Sequence, residues 1–164
     1  MPVNHVAENV LGTIGTILWT IQVIPQVIKS YREKSTEGLS AWLMFLWAFS
    51  GLFLGVYVVV KNINIPLILQ PQLFTALAAL SWAQCLYYGA KKTKLFTVLS
   101  YLTFMSLFGG IQTGLVFAFK ATHNERALQA FGILSAVIIS VGLIPQYVEI
   151  WKRKEVLGEF PSIY

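Results

Sequence analysis

The groups in this chain that can act inside an apolar setting are prolines and amides. They come in a repeated order. Ile24-Pro25-Gln26 is followed by Lys29, Tyr31, Arg32, Lys34 and Gly38. Ile144-Pro145-Gln146 is followed by Trp151, Lys152, Arg153, Lys154 and Gly158. Proline and glycine stand equally far apart in the two copies, which marks an internal repeat. Proline within a helix removes one backbone donor and clashes with the carbonyl four residues back. Pro25 is therefore expected to free the carbonyl of Ile21, and Pro145 that of Val141. A freed carbonyl in lipid needs a new partner. Gln26 and Gln146 stand beside it, and an amide side chain both donates and accepts.

Pro25 and Pro145 are accordingly the candidate hinges. Gln26, Gln146, Gln22, Gln70 and Gln72 are the candidates for substrate binding or hinge support, and Gln70 and Gln72 flank a third proline, Pro71. One such proline would mean only a kink. Two with matching downstream residues favour a hinge that works in transport. Gln84 reads as an interhelical hydrogen-bonding group, Trp19 and Trp82 as lipid-facing or packing residues ahead of walls of a substrate cavity, and Gly109, Gly110 and Gly114 as points of close helix approach. His123, beside Glu125 and Arg126, reads as a solvated loop residue. No Ser/His/Asp set, metal-ligand spacing or glycine-rich phosphate loop occurs, so no catalytic residue, metal or cofactor is expected. The lone Cys85 excludes an intrachain disulfide.

The elements that carry these residues follow from the charge pattern. Of 164 residues, 56% are hydrophobic and 12% charged, about half the usual charged share of about 25%. The charges bound long uncharged runs, and about 20 apolar residues suffice to cross a bilayer. Five spans are expected, near 9–28, 39–60, 67–89, 95–119 and 127–150. Backbone groups in lipid must be satisfied internally, so the fold class is an all-α membrane protein. The net charge of +5 does not indicate nucleic acid, because the basic residues sit at the ends of apolar runs rather than on one soluble face. The first run lacks a basic lead and a small-residue cleavage site, so it reads as a retained span.

The basic residues cluster after spans 1, 3 and 5, at Lys29 to Lys34, Lys91 to Lys94 and Lys152 to Lys154, and are sparser after spans 2 and 4. The positive-inside rule then puts the N-terminus in a lumen or outside, and both proline-glutamine segments at the cytoplasmic side. Spans 1 and 5 run the same way, so the repeats are parallel.

Ile24-Pro25-Gln26, Lys34-Ser35-Thr36-Glu37-Gly38-Leu39-Ser40, Leu143-Ile144-Pro145-Gln146 and Val156-Leu157-Gly158 together resemble the PQ-loop repeat family. That superfamily looks related to cystinosin, the vacuolar and lysosomal cationic amino acid exporters, the SWEET sugar transporters and the ER-retention receptor. The resemblance implies two three-helix bundles joined by a linker helix, with a substrate site between the bundles. Residues 1–90 would be the first three-helix repeat, 91–126 the linker helix and its loops, and 127–164 the start of the second repeat. Spans 6 and 7 of a seven-span fold do not appear, so the chain is expected to be C-terminally short. A homo-oligomer or missing C-terminal helices would complete the second bundle. The implied activity is alternating-access transport of a small solute, amino acids by preference, in a vacuolar, lysosomal or other endomembrane. The implied partners are the lipid bilayer and that solute. Proton-coupled members use intramembrane aspartates and this chain has no aspartate, which sets proton coupling in doubt. The alternatives are a non-transporting sorting receptor or accessory subunit, or a truncated gene product.

Overall fold

The computed structural model describes residues 5–153. Lys154 and the downstream Val156-Leu157-Gly158 of the second repeat lie outside the described residues. The chain forms α1 (His5–Ile21), α2 (Ile24–Glu33), α3 (Ala41–Val60), α4 (Ile65–Gln84), α5 (Lys94–Thr122) and α6 (Glu125–Arg153). A π-helical turn, Cys85–Gly89, ends α4. Five segments are long and apolar enough to cross a membrane: Asn9–Glu33, Ala41–Val60, Ile65–Gly89, Lys94–Thr122 and Glu125–Val148. The protein is thus an all-helical membrane protein, with spans within a few residues of those expected.

Local chemistry sets the helix starts. The Ser40 hydroxyl accepts from the Leu43 amide, the Asn64 carbonyl from Leu67, Thr93 from Phe96 and Asn124 from Ala127. Each cap satisfies one of the donors that a helix N-terminus leaves open. α2 and α5 end at Lys34 and His123 in the left-handed conformation.

α3 is the central element and packs against α4, α5 and α6, while α1 and α2 lie on α4. The tightest approach is between small residues. Ala48 and Gly51 of α3 meet Thr75, Ala78 and Ala79 of α4. A Cβ at Gly51 would collide with the Thr75 hydroxyl and come within 3.3 Å of the Pro71 carbonyl. Thr75 is fully buried, and its hydroxyl donates to the Ala48 carbonyl at 3.4 Å. Close backbones joined by such a bond are how helices associate where lipid offers no hydrophobic drive.

Gly109, Gly110 and Gly114 do not play this part, contrary to the expectation from sequence. A Cβ at any of them would meet nothing within 4 Å. α5 turns Thr97, Phe108 and Gln112 inward, and Gly110 and Gly114 each follow an inward residue by two positions, which places them on the opposite face.

Aromatic rings fill the rest. Trp82 packs on Phe45 and Phe104, with centroids 5.4 and 5.9 Å away, and ties α4 to α3 and α5. Trp19 and Trp47 both meet Phe74, at 5.2 and 5.5 Å, and tie α1 and α3 to α4. Trp19 and Trp82 are therefore packing residues. Trp47 also donates its indole N–H to the Ile139 carbonyl of α6 at 3.3 Å. At the end of the bundle where α3 stops and α6 starts, Lys61 forms an ion pair with Glu125. The hydrogen bond from Lys61 to Glu125 raises the lysine pKa, outweighing desolvation.

Candidate functional site: the paired proline-glutamine segments

The two copies of one sequence unit take different backbones. At the first, α1 stops at Ile21, Gln22 and Val23 form a turn, and α2 starts at Ile24. Pro25 sits in the first turn of α2, where its fixed φ suits a helix and its missing N–H costs nothing. The Gln22 amide still donates to the Leu18 carbonyl at 3.2 Å, and the Val27 amide to the Val23 carbonyl at 3.1 Å. Span 1 is therefore two helices joined at a buried Val23, which is 3% exposed. At the second copy, Pro145 lies inside an unbroken α6. The Val141 carbonyl there lacks the amide that any other residue at 145 would supply.

The glutamines differ too. The Gln146 amide donates to the Gly38 carbonyl at 2.8 Å, and the Ser40 amide donates to the Gln146 side-chain carbonyl at 3.2 Å. The side chain thus pairs with residues 38–40 as a peptide group would in a strand ladder. Gly38 has φ 80°, a left-handed conformation that glycine adopts without strain. The Leu39 amide closes the same turn on the Thr36 carbonyl at 3.1 Å. The glutamine of the second repeat thereby grips the loop of the first.

Gln26 donates to the buried Ser30 hydroxyl at 3.2 Å, within its own helix. Gln22 lies exposed at the helix break, and Gln70 is half-buried beside the buried Pro71. Gln72 converges with Gln112 on Gly55. A Cβ at Gly55 would collide with the Gln112 amide nitrogen and come within 2.9 Å of that of Gln72. Gln112 is 8% exposed and was not singled out from sequence. Its signal was the same as that of the other glutamines, an amide in the middle of an uncharged run. Gln84 makes the interhelical bond expected of it, donating to the Val27 carbonyl just beyond the break at 3.0 Å.

The structure therefore brings Gln146 to the first loop and Gln72 to Gln112, and it keeps Gln26 and Gln146 on separate partners. These groups are neutral hydrogen-bonding amides and hydroxyls, fit to hold a polar solute or a distorted backbone. Among the described residues no group of His, Cys, Asp or Glu could hold a metal ion.

A family profile, PQ loop repeat, matches residues 7–67 and 127–158, taking in both segments. The chain is 40% identical over 161 residues to an uncharacterized protein of Schizosaccharomyces pombe, covering 94% of this chain and 56% of that one. It is 31% identical over 158 residues to an uncharacterized membrane protein of Saccharomyces cerevisiae, covering 93% of this chain and 50% of that one. It is 26% identical over 95 residues to a vacuolar histidine transporter of Saccharomyces cerevisiae, covering 56% of this chain and 32% of that one. The chain thus spans about half the length of the first two of these relatives. No solved structure matches it. With both repeats inside the profile match and a 40% identical relative covering nearly all of it, the chain belongs to the PQ loop repeat family.

Proposed function

We propose that the chain is part of an amino acid transporter of a vacuolar, lysosomal or related endomembrane, working by alternating access. The observation that carries this reading is the unequal state of two equivalent segments: span 1 is broken before Pro25 while α6 runs unbroken through Pro145. Two parallel repeats with the same hinge chemistry in different bends fit a device whose halves move in turn. The distant likeness to a vacuolar histidine transporter supports the substrate class and the compartment. In this reading residues 1–90 form one moving bundle, 91–126 the linker, and 127–164 the start of the other. The N-terminus is lumenal and both proline-glutamine segments face the cytoplasm. Pro25 and Pro145 are the bending points. Gln146 locks the first loop, and Gln26, Gln22, Gln70 and Gln72 offer hydrogen bonds to solute or opened backbone. Further helices, from the same protein or a second copy, complete the second bundle.

The test is amino acid flux in liposomes holding the protein together with those further helices, compared with Pro25→Ala and Pro145→Ala variants matched for membrane insertion. Flux that falls at least tenfold in either variant while insertion holds supports the hinge. Normal flux in both variants removes it. No flux of any amino acid in the unmodified protein favours the second reading, a sorting receptor or accessory subunit. The lack of aspartate in the sequence favours that reading too.

A further inference from the structure

A cavity of about 810 Å³ opens at the end of the bundle where spans 1, 3 and 4 meet. Its rim carries Lys34 from the end of α2, and Lys91, Lys92 and Lys94 from the turn into α5. No carboxylate is among the lining residues. The Lys34 ammonium lies 3.6 Å from the Tyr31 ring centroid and 5.7 Å from that of Tyr88, so the aromatic walls hold it at the mouth. α5 begins here, and the first amides of a helix have no intrahelical partner and carry its positive dipole end.

Two polar atoms within this wall are unsatisfied. Thr97 is 8% exposed and its hydroxyl has no hydrogen-bond partner. The side-chain carbonyl of Gln84 has none either, although its amide is engaged on Val27. A buried polar group without a partner is costly, and native proteins rarely leave one. Thr97 and the four lysines line the same cavity, and a hydroxyl among cations suits a phosphate oxygen. The Gln84 carbonyl suits a hydroxyl or ammonium carried on the same ligand.

We propose that this cavity binds the phosphate head of an anionic phospholipid. Lys34, Lys91, Lys92 and Lys94 neutralise the phosphate, Thr97 donates to it, and Gln84 accepts from the headgroup. A lipid fits better than a free phosphate ester because the floor includes the apolar Leu80, Ala83 and Val98. Leu80 is 38% and Val98 45% exposed along the span, where an acyl chain would lie. Tyr31 and Tyr88 are placed as interfacial tyrosines are, at headgroup depth. The proposal stands apart from the transport reading and needs no solute.

Native mass spectrometry of the purified chain with phosphatidylserine, a phosphoinositide or phosphatidylcholine tests it, with glycerophosphate and inorganic phosphate as soluble probes. At least one anionic lipid should be retained tenfold or more above phosphatidylcholine. The Lys34→Gln/Lys91→Gln/Lys94→Gln variant should weaken it by about fivefold per lysine, on the order of 100-fold in all. Thr97→Val should weaken lipid retention about fivefold while the lipid-free protein melts no lower, because a methyl replaces an unpartnered buried hydroxyl. That single substitution also serves if the triple variant fails to fold. Lys120→Gln, at the far end of α5, should change nothing. Equal retention of phosphatidylcholine overturns the proposal. So does glycerophosphate binding as tightly as the lipid, or the same loss in Lys120→Gln as in the triple variant.

Discussion

Replacing Gln146 with alanine should release the first repeat's loop without unfolding the bundle. The side chain makes two part-buried bonds, one to the Gly38 carbonyl and one from the Ser40 amide. Each is worth about 0.5–1.5 kcal/mol net, so their loss should cost about 1–3 kcal/mol. Interhelical bonds in membrane proteins average about 0.6 kcal/mol, which puts the lower bound near the sum of two such bonds. A change of that size multiplies the undocked population of residues 36–40 by about 5 to 150. Ser40 is the reporter, because its amide has Gln146 as its partner while the Leu39 amide is held by Thr36. Hydrogen exchange in nanodiscs should show the Ser40 amide opening by that factor, with the middle of α3 unchanged. Gln146→Glu keeps an acceptor for Ser40 but loses the donor to Gly38, so it should fall between the two. Ser40 exchange within twofold of the unmodified protein in Gln146→Ala would refute the clamp.

Gly51→Ala should destabilise the bundle by about 1–3 kcal/mol through overpacking against Thr75; Thr75→Ala in the same chain should recover most of it, and thermal melts in detergent would expose a failure to do so. Gly38→Ala forces a left-handed φ of 80° on a residue with a Cβ and should cost about 1–2 kcal/mol, read by the same exchange at Ser40. Bonding to Glu125 raises the folded pKa of Lys61 above its ordinary 10.5. The pair's contribution is therefore full at neutral pH, up to about pH 10.5, and fades as pH rises through the higher folded value, so Lys61→Met should lower stability slightly at neutral pH, converge with the unmodified protein at alkaline pH, and so flatten the alkaline limb of a stability-pH curve.

The spans were legible because charges bound them: Glu8 and Lys29, Glu37 and Lys61, and Arg126 and Glu149 delimit runs that match three of the five observed segments. The repeat was legible because proline, glutamine and glycine each impose a backbone requirement at fixed spacing. The different fates of the two copies were not. Proline is tolerated both at a helix start and as an in-helix kink, and the neighbouring helices decide between the two. Among the described residues α1 and α2 rest chiefly on α4, whereas α6 lies along the central α3. The partner of Gln146 was also hidden, being more than a hundred positions away. Glycine spacing likewise marks where helices can approach, not which face has a neighbour. Gly51 and Gly55 are packed, and Gly110 and Gly114, with the same spacing, are open.

The bond between Gln146 and Gly38 spans 108 positions. During synthesis, spans 1 and 2 enter the bilayer long before the ribosome reaches residue 146. Until then the Gly38 carbonyl and the Ser40 amide have only water or passing partners. The clamp closes when span 5 arrives alongside α3, which makes the shape of the loop between spans 1 and 2 a late event of assembly. A binding partner that reads the docked form of residues 36–40 would therefore recognise chains whose fifth span is in place and pass over those still waiting for it.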